Sequence, residues 1–199
     1  MAARPEIEPP FADQQASVEA LTDENALLRA SLAEMRERLC ELEQLADTDT
    51  LTPLPNRRRF LRELDRAVSQ ANRHGTPAAV LYIDLNGLKA VNDRHGHVAG
   101  DAALIHVARL LQGLIRTSDA VARIGGDEFG LILDHLDHNS AIETAERIAC
   151  CIASSPLDVG GSSVRLEAAI GVATIISGDT SEDVMKRADR NMYLAKKER

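Results

Sequence analysis

The sequence is short of several things, and each shortage removes a class of protein. It has no Trp, and aromatic residues make up only 3% of its 199 residues. A core must therefore be built from Leu, Ile, Val and Ala. Its three cysteines, Cys40, Cys150 and Cys151, are odd in number and two are adjacent. They offer neither a disulfide framework nor the ligand spacing of a zinc site, which fits a reduced, cytoplasmic chain. No apolar run is long enough to span a bilayer, and MAARPEIEPPFADQQ lacks the apolar centre of a signal peptide, so no membrane partner is expected. Positive charge is in the minority: the net charge is -8. An acidic chain is a poor general nucleic-acid binder. It can still hold a small anion through local basic groups and backbone N–H groups.

What is present falls into three parts. Residues 1–14 carry three prolines and mixed charge without periodicity, as a disordered tail does. Residues 15–46 hold no Gly or Pro and repeat in heptads. Val18, Asn25, Leu32, Leu39 and Ala46 fall at a; Leu21, Leu28, Met35 and Leu42 fall at d. Glu24 at g faces Arg29 at the next e, and Arg38 faces Glu43 in the same way. In a parallel, in-register dimer both pairs attract, and an Asn at a fixes register. A homodimeric coiled coil of roughly 40 Å is expected; the competing reading is one amphipathic helix packed on its own domain.

From residue 47 to 199 helices alternate with strands. DTDTLTPLPN breaks the first helix. RRRFLRELDRAVSQANRHG places Phe60, Leu64, Val68 and Ala71 on one face and ends at Gly75. AAVLYIDL reads as a buried strand that ends on Asp84. DAALIHVARLLQGLI is a helix with Asp101 near its start. AVARI and FGLIL flank a glycine turn. SAIETAERIACCIA opens with a capping box of Ser140 and Glu143. VRLEAAIGVATII is a strand, with a break expected at Gly171, and SEDVMKRADRNMYLAKKE is the last helix. Alternation with one hairpin points to a mixed sheet covered by helices.

Two features carry chemistry. In RIGGDEF, a two-residue Gly-Gly link between apolar runs signals a hairpin, with positive φ available at both glycines. Taken alone it only reverses the chain. Asp127 and Glu128 sit just beyond it, however, and adjacent acids beside a glycine turn can hold a divalent cation. Asp84 ends an apolar strand, where a carboxylate is costly unless paired, solvated or bound to metal. The segment DLNGLKAVNDRHGHVAGDAAL follows, rich in Asn, Asp and His. Amides and acids of this kind can read a base edge. His95 and His97 lack a third ligand at a fitting spacing and are expected to pack loops.

These blocks resemble the GGDEF-type diguanylate cyclases. The resemblance rests on DTDTLTPLPNRRRF, YIDLNGLKAVNDRHGHVAGDAAL, ARIGGDEF, AIGVA and RADRNMYLAKK, in the family's order from about Asp47 onward. It implies an α+β, ferredoxin-like palm of the nucleotidyl cyclase kind. It implies condensation of two GTP into cyclic di-GMP with release of two pyrophosphates, across two facing protomers. By motif position, Asp84 and Asp127, the carbonyl of Leu85 and Glu128 would hold or adjoin two Mg²⁺ or Mn²⁺ ions. Gly125 and Gly126 would let the turn approach the triphosphate. Asn92 and Asp101 would recognise guanine, and Lys89 and Lys196 would contact phosphates. Arg116 and Asp119, with five residues between Asp119 and Gly125, would form the family's Arg-x-x-Asp product-inhibition motif, with Arg147 as a secondary arginine.

The sequence departs from the family twice. Gly87 and Leu88 stand where many members have an aromatic. It also ends in AKKER, short of the Gly-Arg-Asn stretch whose Arg helps hold phosphate, which implies either weaker phosphate binding or further chain. The alternative to an active cyclase is a catalytically weak domain that binds cyclic di-GMP as a receptor. A regulatory partner, if one exists, would act at the coil.

Overall fold

The computed structural model describes residues 21, 22, 24–38 and 47–197. The chain divides into two compact units, Met1–Ala46 and Asp47–Arg199. The expected tail, and Val18, Leu39, Leu42, Glu43 and Ala46 of the heptads, lie outside the described residues.

In the first unit, α1 is helical over 24–38. Its heptad side chains make an exposed apolar stripe: Leu28 is 57% exposed, Leu32 53% and Met35 61%. Arg38 pairs with Glu34 of its own helix at 2.8 Å. An (i, i+4) pair of this kind is a local contact of small energy and does not fix a partner.

The second unit is built on β1 (Ala78–Asn86), whose first eight residues are all buried. Even and odd positions of a strand point to opposite faces, so β1 feeds two cores. Ala79, Leu81, Ile83 and Leu85 join Leu104, Val107, Leu111, Ile148 and Ile152. Ala78, Val80 and Tyr82 join Phe60, Leu64, Val68, Val184 and Met192. The first core is covered by α3 (Leu88–His95), α4 (His97–Leu114) and α5 (His138–Ser154), the second by α2 (Arg57–His74) and α6 (Ser181–Lys197). The expected inward face of α2 is the buried one: Phe60, Leu64, Val68 and Ala71.

The main sheet has the order β2-β3-β1-β6, with β2 at Ala120–Arg123, β3 at Glu128–Asp134 and β6 at Glu167–Thr174. Each of its pairings is antiparallel, so the sheet is not mixed. The reason is topological. β1 and β2 run the same way, as alternation suggests, but β3 lies between them; β1 likewise separates β3 from β6. This is the split βαβ arrangement of a ferredoxin-like α+β fold.

Four local expectations need correction. The helix expected from Asp101 begins at His97, and a separate helix, α3, precedes it. The cap of α5 is Asp137, whose carboxylate accepts from Ser140 N at 2.8 Å, not a Ser140–Glu143 box. Val164 and Arg165 do not begin the last strand. Val164 ends a small hairpin of β4 (Leu157–Val159) and β5 (Ser162–Val164), turned by Gly160 and Gly161. Strand β6 is not broken at Gly171 but packs there against helix α6. A Cβ at residue 171 would lie 2.1 Å from Ala188 O and Met192 N.

Backbone cannot yield as a flexible side chain can, so Gly171→Ala must push α6 off the sheet. The expected loss is at least about 3 kcal/mol, above the usual cost of overpacking. Urea unfolding of both proteins measures it, and a loss under about 1 kcal/mol would refute the close approach.

Candidate active site

The cross-strand register of β1 and β3 places Asp84 directly opposite Glu128. Both lie on the face that carries Tyr82 and is covered by α2 and α6. Asp84 is only 8% exposed. Its carboxylate is met from the last turn of α6 by Lys196, with Nζ 2.6 Å from Oδ1. Asp127 precedes Glu128 on the turn, and its carbonyl accepts from Leu85 N at 3.0 Å. The structure therefore joins Asp84, Leu85, Asp127, Glu128 and Lys196 in one place. The hydrogen bond to Asp84, with the charges of Asp84, Asp127 and Glu128, raises the pKa of Lys196 above its ordinary value.

Three carboxylates thus act on one ammonium in this half-buried site. The donors are hard oxygens, which suit Mg²⁺ or Mn²⁺ rather than soft-ligand metals. Among the described residues no three acidic, imidazole or thiol groups form a metal cage by themselves. An open carboxylate set completed by substrate phosphates is the usual way in which Mg²⁺ is held.

The turn is longer than the glycines alone imply. Residues 124–127 link β2 to β3. Ile124 N and Gly125 N both donate to Glu128 O, at 2.9 and 3.2 Å. Neither Gly125 nor Gly126 has positive φ. Gly125 is needed for closeness instead: a Cβ there would lie 2.0 Å from Glu128 Oε2. Tyr82 lies on the same strand face as Glu128 and feels its charge. Burial first, then the Glu128 carboxylate, push the phenol of Tyr82 up to about 12, so it keeps its proton at neutral pH. Tyr82 was missed in the sequence, although its place two residues before Asp84 puts it on the same strand face.

Arg123 and Asp49 were missed as well. The Arg123 guanidinium donates to Gly126 O at 3.2 and 2.7 Å and to Asp49 Oδ1 at 3.2 Å. Asp49 also accepts from Thr52 N at 2.8 Å and Thr52 Oγ1 at 2.7 Å. The segment DTDTLTPLPN is therefore a strap that holds the acidic turn by way of Arg123. Arg123 N donating to Pro55 O at 2.9 Å adds a backbone tie.

The other expected residues lie in two further places. Asn92 on α3 packs against Gly100 of α4, where a Cβ would lie 1.9 Å from Asn92 Oδ1. That contact brings Asn92 beside the helix turn that carries exposed Asp101. Lys89 is exposed on α3. Arg116, Asp119 and Arg147 line one cleft of about 550 Å³ between the end of α4 and the start of α5. Asp119 already has local work: it accepts from Arg116 N at 3.0 Å and Asp134 N at 3.2 Å. Among the described residues His95 and His97 belong to no group of three metal-ligating side chains.

Comparison with known proteins settles the family. Residues 46–199 match the family described as "Diguanylate cyclase, GGDEF domain". The chain belongs to the GGDEF domain family. It is 43% identical to the bifunctional diguanylate cyclase/cyclic di-GMP phosphodiesterase MucR of Pseudomonas aeruginosa, over 78% of this chain and 23% of MucR. It is 38% identical to the diguanylate cyclase TpbB of the same organism, over 90% of this chain and 41% of TpbB. The chain thus spans well under half the length of these relatives. Among solved structures it is similar to the coiled coil and GGDEF domain of DgcB from Caulobacter crescentus in complex with c-di-GMP. That likeness has a TM-score of 0.77 and 30% identity, and it covers 91% of this chain and 95% of that one. Among the described residues of this GGDEF protein no helix is long and apolar enough to cross a membrane.

The strap gives a test. Burial raises the pKa of Asp49, but the hydrogen bonds from Thr52 and Arg123 outweigh it, so the folded-state pKa lies below the ordinary 3.8. A depressed pKa contributes stability above the unfolded value, and that stability is lost as pH falls through the folded one. Asp49→Asn is expected to cost about 2 kcal/mol at neutral pH. The difference from wild type should stay level down to about pH 4 and shrink below it, as followed by urea unfolding from pH 7 to pH 3. A pH-independent difference would contradict the charged strap.

Proposed function

We propose that the chain is a diguanylate cyclase that condenses two GTP into cyclic di-GMP and two pyrophosphates across a homodimer. The observation that carries this reading is the meeting of Asp84, Asp127, Glu128 and Lys196 at one end of the β1–β3 pair. In each half-reaction the 3′-oxygen of one GTP attacks the α-phosphorus of the other. The bond to the pyrophosphate oxygen breaks, and the proton of the hydroxyl leaves.

Asp84, the Leu85 carbonyl and Asp127 would hold Mg²⁺ or Mn²⁺, two ions per site, with Glu128 beside them. When bound, such ions neutralise the triphosphate and lower the pKa of the attacking hydroxyl. The rest of the work is positioning by the protein. Gly125 and Gly126 bring the bare turn close to the phosphates, and Arg123 keeps that turn in place. Lys196 and Lys89 take phosphate charge. Asn92 and Asp101, adjacent through the α3–α4 contact, read the guanine edge, with Asp101 accepting from its N–H groups.

One protomer carries one GTP, so two must meet. The exposed stripe of α1 supports a parallel coiled coil that raises the effective concentration of one domain near the other. The same stripe is where a regulatory partner would act. In the cleft of Arg116, Asp119 and Arg147, the arginines would pair with product phosphates and Asp119 would accept from guanine.

Incubation with GTP and Mg²⁺, followed by nucleotide chromatography, tests the reading. Cyclic di-GMP should form, and Asp127→Ala should lower the rate at least about a hundredfold. Tight binding of cyclic di-GMP without synthesis would replace the cyclase by a receptor. Arg116→Ala should weaken inhibition by added cyclic di-GMP about ten- to hundredfold and leave the initial rate intact. An unchanged inhibition constant would remove the cleft from the account.

A further inference from the structure

The reading above assigns Lys196 to phosphate, yet the structure puts its ammonium 2.6 Å from Asp84 Oδ1, the carboxylate assigned to the metal. The two assignments compete. A divalent cation on Asp84 would sit within a few ångströms of that ammonium, and the two positive charges repel strongly where water is scarce. A cation on Asp84 therefore weakens the hold of that carboxylate on Lys196, which touches only Oδ1.

The side chain is built to leave. Lys196 is the second-to-last residue of α6, and its side chain is 44% exposed against 11% for that of Asp84. Its four-carbon stem can swing without moving the helix. Helix α6 is anchored elsewhere, by buried Val184, Ala188 and Met192 and by Arg187, which donates to Asp179 and to Thr174 O. A bound triphosphate would offer the freed ammonium a new partner that carries more negative charge than Asp127 or Glu128 alone.

We propose that Lys196 is an exchangeable counter-ion that couples the binding of the divalent cation to that of the nucleotide. Without nucleotide the ammonium holds Asp84 and opposes the cation. With nucleotide it moves to the phosphates and yields the carboxylate. Cation and nucleotide then bind as a pair, and by linkage each strengthens the other by the same factor. The inference rests on the metal-dependent nucleotide site proposed above, and it adds a role that phosphate contact alone does not require.

The test is Mn²⁺ binding, read from the electron paramagnetic resonance of the free ion, with and without 3′-deoxyGTP, which cannot react. Without nucleotide, Lys196→Met should bind Mn²⁺ about tenfold more tightly than wild type. Lys197→Met removes an equal charge one residue away, where the ammonium lies 4.5 Å from the Tyr193 ring centroid; it should stay within about twofold of wild type. Lys196→Arg should keep the weak binding of wild type. With 3′-deoxyGTP the order should reverse, wild type holding Mn²⁺ more tightly than Lys196→Met. Unchanged or weaker Mn²⁺ binding by nucleotide-free Lys196→Met would overturn the exchange, as would equal tightening in Lys197→Met. If those failures occur while wild type makes cyclic di-GMP, only this inference falls. If wild type neither binds Mn²⁺ with nucleotide nor makes product, the functional reading falls with it.

Discussion

The register of β1 against β3 is the constraint on which the site depends. Side chains alternate along a strand, so a slip of one residue would send Asp84 into the aliphatic core of Leu81 and Ile83. The register is held because β1 is buried on both faces, and either face would lose its whole apolar set in a slip. Core packing thus fixes where two carboxylates meet. The fold tolerates the buried charge of Asp84 because Lys196 reaches it from α6. Paired strands and an opposing helix together place a dense negative charge at one end of the central β1–β3 pair.

The periodic parts of the sequence were legible. The four buried positions of α2 are those its spacing marks, because an amphipathic surface helix has one solution for its apolar stripe. The all-apolar run of β1 likewise announced burial on both faces. Short-range chemistry was less legible. Asp137 lies three residues before Ser140, and its carboxylate takes the Ser140 N–H, which moves the start of α5 ahead of the expected box. The short α3 was hidden by its polar residues. A mixed sheet was expected because alternation implies parallel neighbours unless a later strand inserts between them, which β3 does.

The glycines show the same limit at the site. The two-residue Gly-Gly hairpin with positive φ does occur in this chain, but at Gly160 and Gly161, with φ of 59° and 85°. At the acidic turn the same dipeptide serves a different need: room for Glu128 and a close-lying backbone. The sequence marked the acids themselves, since adjacent carboxylates and a strand-ending Asp are costly without a purpose. It did not mark their supports. Tyr82, Arg123 and Asp49 act through contacts between residues distant in the chain, and only the folded arrangement brings those together.

The central claim is that the β1–β3 end is a cation and triphosphate site. Amide signals of the isotopically labelled protein, recorded while Mn²⁺ is added in the presence of 3′-deoxyGTP, test it most directly. Paramagnetic broadening should begin at residues 84–85 and 125–128 and spread outward from them. Broadening centred elsewhere on the domain, with these signals left sharp, would contradict the assignment.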